Sequence, residues 1–317
     1  MRPVPIGVIG VGALGQHHAR HLAAFAEAKL VGVHDIDHAR GERIAAGVGT
    51  RFFSDVERLL AEVEAVTVAV PTAVHGSVGL AALDRGRAVL MEKPLAGSLA
   101  EADALIDAAS RQGTLLQVGH VERFNRAVRA ARPYLTDPRY FESTRLAPFQ
   151  PRGTDVAVLL DLMIHDLDLI LHLGGGAAVT EVRASGVPVL TPLIDIANAR
   201  VEFATGAVAN ITASRVARER VRKLRVFQTS GYLSLDLAAG SGVFMRLKED
   251  RAAAAPTSLA DIVEVIPLTA PESDALGDEL ASFVRSVRGR DQAVVTGAEG
   301  RAALALALRV GEAIAAG

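Results

Sequence analysis

The chain has 317 residues, half of them hydrophobic and 22% charged, with a formal net charge of −2. This length implies two domains with a well-filled interior, and the near-neutral charge leaves no basic excess for nucleic acid or an anionic membrane. The chain has no cysteine, which excludes disulfides, thiolate metal sites and a cysteine nucleophile. The opening residues pass at once into an apolar run and a glycine-rich turn, without the longer apolar stretch and cleavage signal of a secretory peptide. No apolar stretch reaches membrane-spanning length. The expected compartment is the cytoplasm, with neither membrane nor nucleic acid as a partner.

Apolar runs at 6–9, 30–33, 66–70, 88–91 and 115–118, with a weaker one at 51–53, alternate with helical segments. Continuous apolar runs suit strands buried on both faces of a parallel sheet. Ser98 and Glu101 have the capping-box spacing ahead of an apolar-periodic helix. Residues 1–120 therefore read as a doubly wound α/β domain. Past 120 the pattern changes. A helical segment over about 155–173 stands alone, capped by Asp155 and stopped by Gly174-Gly175-Gly176. Several β-rich stretches between about 179 and 268 follow, then helices near 273–288 and 298–316, with a surface loop over 249–260. Residues 121–317 read as an α+β domain on a largely antiparallel sheet, and a sheet with one face bare of helices usually needs a partner, which predicts a homo-oligomer.

The first turn spells Gly10-Val11-Gly12-Ala13-Leu14-Gly15, between a strand and a helix, and Asp35 ends the next strand twenty residues past Gly15. Gly10 permits the turn, Gly12 lets the backbone approach a pyrophosphate, and Gly15 lets helix and strand pack closely. The helix N-terminus offers free N–H groups to the anion. Asp35 is suited to the adenosine ribose hydroxyls and repels a 2′-phosphate, which favours NAD over NADP. His34, His38 and Arg40 lie close enough to tolerate a phosphate.

Glu92-Lys93-Pro94 ends another buried strand, where ligands of open α/β sheets bind. Lys93 is then either a proton-transfer group with a pKa lowered by desolvation or a solvated strand-end lysine. The segment 155–173 is apolar nearly all round, yet Asp161, His165, Asp168 and His172 recur on it at +4, +7 and +11. On an α-helix they fall within roughly 40° of one another, and a polar stripe on a buried helix needs polar partners or a wet cavity. Asp166 lies off the stripe and is assigned another contact. Asp161 and His165, one turn apart, are either a carboxylate-oriented general base or a satisfied buried pair. With no third ligand evident, a metal site is not expected.

Taken in order, the glycine turn, Val70-Pro71-Thr72-Ala73-Val74-His75, Glu92-Lys93-Pro94 and Asp161-x-x-x-His165 resemble the glucose–fructose oxidoreductase / inositol dehydrogenase family, over essentially the whole chain. The resemblance implies a Rossmann domain followed by an open-sheet α+β domain, and NAD-dependent oxidation or reduction of a sugar-like hydroxyl. It implies that Gly10, Gly12, Ala13, Leu14, Gly15, Asp35, Pro71, Thr72, His75, Glu92 and Lys93 bind the cofactor. Lys93, His165 and Asp161 are implied as catalytic residues, with His165 favoured as base and Lys93 stabilising the alkoxide, and with the reverse assignment of these two roles as the alternative. Gly119-His120-Val121-Glu122-Arg123-Phe124-Asn125 with Arg152 resembles the branch acting on nucleotide sugars, although Arg126 stands where that branch carries Pro. This implies oxidation of the 3-hydroxyl of a UDP-N-acetylhexosamine, with Glu122, Arg123, Asn125, Arg152 and His165 holding the substrate and Arg145 a further candidate for its pyrophosphate. The basic run 215–225 reads as a solvated or subunit-facing edge. The alternatives are a dehydrogenase of inositol or a free sugar, and a non-catalytic dinucleotide-binding regulator, which would need none of Lys93, Asp161 and His165.

Overall fold

The computed structural model describes residues 2–150, 156–248 and 258–316. They form two compact units. The first runs to Val121 and takes in Asp274–Leu304. It contains β1 (Val4–Ile9), α1 (Gly15–Ala24), β2 (Ala28–His34), α2 (His38–Val48), β3 (Arg51–Phe53), α3 (Val56–Glu62), β4 (Ala65–Val68), α4 (His75–Leu83), β5 (Ala88–Glu92), α5 (Leu99–Gln112) and β6 (Leu116–Gly119). All six strands are parallel, in the order β3-β2-β1-β4-β5-β6. Every residue of β4, β5 and β6 is buried, which is why these strands appear in the sequence as mostly apolar runs, broken only by the buried Thr67, Glu92 and Gln117, rather than as alternations. Ser98 caps α5 as expected, its Oγ accepting from the Glu101 N–H at 3.2 Å, while Glu101 Oε2 reaches back one residue past the cap to accept from the Gly97 N–H at 3.1 Å. The strand order reverses between β1 and β4. The carboxyl ends of β1, β2, β4 and β5 therefore carry the glycine turn, Asp35, Pro71-Thr72 and Lys93 around the crevice where such sheets bind ligands.

The second unit spans Glu122–Ser273 and the chain from Ala305 onward. It contains α6 (Arg126–Ala131), β7 (Pro138–Leu146), a π turn (Leu159–Met163) running into α7 (Ile164–Leu173), β8 (Val179–Val187), β9 (Ile196–Phe203), β10 (Val208–Ser214), β11 (Val221–Gln228), β12 (Gly231–Asp236), β13 (Ser241–Leu247), α8 (Leu259–Ile262) and β14 (Val263–Leu268). The sheet order is β14-β13-β12-β11-β7-β10-β9-β8. It is antiparallel except between β7 and β10.

The central strand β7 is absent from the sequence expectation. Its buried residues are Phe141, Ser143 and Arg145, and two polar residues on the inward face erase the apolar alternation that marks a strand. α7 packs on that face, with Ser143 Oγ donating to Asp166 at 2.8 Å. On the opposite face Tyr140, Phe227 and Tyr232 form an aromatic row, with ring centroids 5.6 Å and 5.1 Å apart, and Asn210 donates to the Tyr140 hydroxyl at 2.7 Å. At the loop after β8, buried Asp195 accepts from the N–H groups of Val189, Leu190 and Thr191. Asp195 also pairs with Arg215, whose guanidinium donates to the Val156 carbonyl at 2.5 Å. That chain of contacts ties down the backbone that enters the π turn.

The last two helices are α9 (Ala275–Val287) and α10 (Gly297–Ala316). The sequence boundary at 120/121 assigned both to the second domain. In the structure Asp274–Leu304 belongs to the first unit, because Leu280, Phe283 and Val284 of α9 join Val8, Leu22 and Leu90 in one apolar core. An amphipathic stripe shows that a helix is covered, not by which sheet. The loop expected over 249–260 lies outside the described residues as far as 257, and α8 begins at Leu259. Among the described residues no helix is long and apolar enough to cross a membrane.

Candidate active site

The three glycines of the first turn differ in what a side chain there would meet. Gly10 has φ +82°, and a Cβ there would lie 2.6 Å from the Ala69 carbonyl oxygen. A Cβ on Gly15 would lie 1.8 Å from the Gly10 oxygen. A Cβ on Gly12 would meet nothing within 4 Å. Gly10 and Gly15 are thus required by the fold, whereas Gly12 keeps an open cradle. Ala13 and Leu14 are exposed beside it. α1 starts at Gly15, and its first turn closes on the loop, with the Gln16 N–H donating to the Gly12 oxygen at 3.3 Å and the His17 N–H to the Leu14 oxygen at 2.8 Å.

Asp35 is 4% exposed. Its carboxylate accepts from Val11 N–H at 2.8 Å and Asp37 N–H at 2.9 Å, and from Arg40 Nε at 3.1 Å and an Arg40 terminal nitrogen at 2.7 Å. Burial pushes its pKa up, but Arg40 and the two N–H groups outweigh burial and hold it below the ordinary carboxylate value. An ionised carboxylate beside an open glycine cradle at a strand-order reversal fits a dinucleotide. In the sequence Arg40 stands only as a cation close enough to tolerate a phosphate. The structure makes it the bidentate partner of Asp35. The available signal was its place in the first turn of α2, where the Asp37 side chain caps the Arg40 N–H at 3.0 Å.

Pro71 is exposed and Thr72 half-buried at the short 3₁₀ turn Thr72–Val74. His75, expected to line the cofactor, is 1% exposed. Its Nδ1 lies 2.8 Å from the Pro94 oxygen and its Nε2 3.0 Å from the Val70 oxygen. The ring therefore bridges the ends of two strands. Glu92 also turns inward: Oε1 is 3.1 Å from His18 Nε2, and Oε2 accepts from the Lys93 N–H at 3.3 Å. Lys93 is half-buried, and the Lys93–Pro94 peptide is cis.

In the second unit the expected helix is not α-helical throughout. Asp161 lies in the π turn and His165 in the first turn of α7. A π turn carries i→i+5 bonds and is frequent at functional sites. It shifts Asp161 from the angle an α-helical wheel assigns. Asp161, His165 and His172 are half-buried. Asp168, placed with them on the polar stripe, is instead 1% exposed. It accepts from Arg123 Nε and a second Arg123 nitrogen, both at 2.7 Å.

Three residues expected to hold substrate also face inward. Arg123 is occupied with Asp168. Glu122 accepts from Arg145 at 2.9 Å and from Asn125 Nδ2 at 3.0 Å. Asn125 caps α6 by accepting from the Ala127 N–H at 3.0 Å and donates to the Leu237 carbonyl at 2.8 Å. Arg145 donates to both oxygens of Asp166, at 2.6 and 3.2 Å. Burial pushes the Arg145 pKa down, and Asp166 and Glu122 more than reverse it, so the guanidinium stays charged. Arg222 lies half-buried 3.6 Å from Glu122, inside the basic run read as an edge. Arg126, in the place of the expected Pro, donates to the Ala239 carbonyl at 2.6 Å. Arg152 lies outside the described residues. Among the described residues no group of three or more His, Asp and Glu side chains is placed to hold a metal ion.

Two family models match the chain: "Oxidoreductase family, NAD-binding Rossmann fold" over residues 4–120 and "GFO/IDH/MocA C-terminal domain" over residues 118–234. The chain is 39% identical to UDP-N-acetylglucosamine 3-dehydrogenase of Acidithiobacillus ferrooxidans, over 98% of this chain and 97% of that protein. A solved structure of that enzyme superimposes with a TM-score of 0.92 at 38% identity, covering 100% of this chain and 99% of the other. A scyllo-inositol 2-dehydrogenase (NAD+) of Bacillus subtilis is 30% identical over 67% of each chain.

Proposed function

The chain belongs to the glucose–fructose oxidoreductase / inositol dehydrogenase / MocA family of NAD-binding oxidoreductases, and from that premise we propose that it oxidises the 3-hydroxyl of UDP-N-acetylglucosamine to the 3-keto sugar. Similarity to the Acidithiobacillus enzyme through both units carries this reading. It is supported by the ionised Asp35 beside the Gly12 cradle, and by Asp161 in the π turn with the half-buried His165 four residues on in the first turn of α7.

When bound, NAD supplies the hydride acceptor. The Gly10–Gly15 turn would hold its pyrophosphate at the open Gly12 cradle, and Asp35 would accept from the adenosine ribose. Pro71 and Thr72 flank the nicotinamide side. His165, oriented by Asp161, takes the proton from the sugar hydroxyl, and the Lys93 ammonium stabilises the alkoxide that forms. The inward-facing His75 and Glu92 act on this site through the backbone around Lys93. Arg152 is proposed for the nucleotide's phosphates. The enzyme works in the cytoplasm as a homodimer or homotetramer joined through the open face of the larger sheet.

The test mixes enzyme, NAD and UDP-N-acetylglucosamine with an aminotransferase and glutamate to trap the keto sugar, and follows absorbance of the reduced nicotinamide. Reduction is expected, and His165→Ala and Lys93→Met should each lower kcat by roughly 10²- to 10⁴-fold with little change in NAD affinity. Turnover of scyllo-inositol but not of the nucleotide sugar would overturn the substrate and favour the inositol alternative.

A further inference from the structure

α7 is fastened to its unit by two charged pairs that lie on either side of His165. Asp166 is bound by Arg145 and Ser143 of β7. Asp168 is bound by Arg123, from the 3₁₀ turn Val121–Phe124. At about 100° per residue, Asp166 projects about 100° to one side of His165 and Asp168 about 60° to the other. The anchors come from two separate elements, so a roll of α7 in either direction stretches one of them. Each is a bidentate fork, the arrangement that fixes angle as well as distance. All four charged side chains are at most 3% exposed.

Burying such pairs is a poor route to stability. The desolvation cost offsets the attraction, and apolar pairs of similar volume often serve as well. What a rigid fork provides that leucine and methionine do not is a defined orientation. We propose that Arg123–Asp168 and Arg145–Asp166 are positioning pairs that fix the rotational setting of α7 and hold the His165 imidazole in its working orientation, a role that rests on the reading of His165 as the base. Glu122 and Asn125 complete the device: Glu122 holds the remaining side of the Arg145 guanidinium, and Asn125 holds Glu122. The inference gives a job to Glu122, Arg123 and Asn125, which the sequence places in the substrate site and the structure turns inward.

Arg123→Lys tests this while keeping the charge and losing the fork, and Arg123→Met with Asp168→Leu removes the pair altogether. The readouts are kcat, KM for NAD, and the imidazole Cε1–H signals of protein labelled in histidine, with the His165 signal assigned by its loss in His165→Ala. In both variants kcat should fall about tenfold or more, KM for NAD should stay put, and the His165 signal should shift or broaden while those of His21 and His38 in the first unit do not. A folded variant with wild-type kcat and an unchanged His165 signal overturns the proposal. If the double variant does not fold, the lysine variant decides alone. The failure of the underlying reading looks different: His165→Ala itself would then turn over normally, while the His165 signal would still report whether the pairs orient the ring.

Discussion

Asp35 sits under opposing influences, and which one wins sets whether its carboxyl stays charged as the pH falls. Burial favours the neutral acid, while the Arg40 fork and the N–H groups of Val11 and Asp37 favour the anion and prevail. A carboxyl held below its ordinary value contributes stability above that value, and the contribution is lost as pH falls through the lowered one. Arg40 is about a third exposed, so its effect on global stability is small. On the role proposed for Asp35, the effect of Arg40 is read in ligand affinity instead. Arg40→Ala lets the Asp35 pKa rise, so the variant should lose affinity for NADH at a higher pH than the wild type does. NADH fluorescence titrations at descending pH measure this, and superimposable pH profiles would show that Arg40 does not keep Asp35 ionised. Residue types at this scale were legible: Asp35, Lys93, Asp161 and His165 stand out by type and spacing. Their partners were not. Nothing local in the sequence reveals that Arg123 meets Asp168 across 45 positions, or that the His75 ring reaches Val70 and Pro94 carbonyls instead of a ligand.

At the scale of elements, the glycine motif divides into two positions where a Cβ would collide with the fold and one where it would enter open space. Gly15→Ala forces a Cβ against the Gly10 carbonyl oxygen, backbone against backbone. Overpacking of this kind costs about 1–3 kcal/mol or more, and thermal unfolding should register it as a clear fall in Tm. Gly12→Ala enters open space and should leave Tm nearly unchanged, yet it should weaken NADH binding about tenfold or more, because the methyl occupies the cradle. An equal fall in Tm for both variants would mean that Gly12 is there for the fold. The parallel strands were legible because burial on both faces leaves continuous apolar runs. β7 was not, since its inward side is Phe141, Ser143 and Arg145. Nor was the π turn at Leu159–Met163, which adds a residue to a helical turn without altering its apolar composition. Both exceptions lie where charged groups had to be brought beneath a helix, and there the hydrophobic code is least informative.

For the whole molecule, the sequence separates two kinds of sheet, while contacts between segments far apart in the chain decide which helices serve each. α9 follows the last strand of the second unit yet completes the core of the first. That leaves the aromatic side of the eight-stranded sheet to account for. Tyr140, Phe227 and Tyr232 hold three partly exposed rings in contact on neighbouring strands, next to the charged pair Arg225–Glu142 at 3.1 Å. Stacked aromatic rings rimmed by charge are the composition of an interface centre. If two copies pair through this face, Phe227→Asp puts a carboxylate at the middle of the row, where truncating a central aromatic alone costs about 2 kcal/mol or more, roughly thirtyfold in the dissociation constant. Sedimentation at micromolar protein should then show the wild type as a dimer or tetramer and Phe227→Asp as a smaller species with unchanged circular dichroism. An assembly of unaltered size would place the interface elsewhere and leave the aromatic row as a device internal to one sheet.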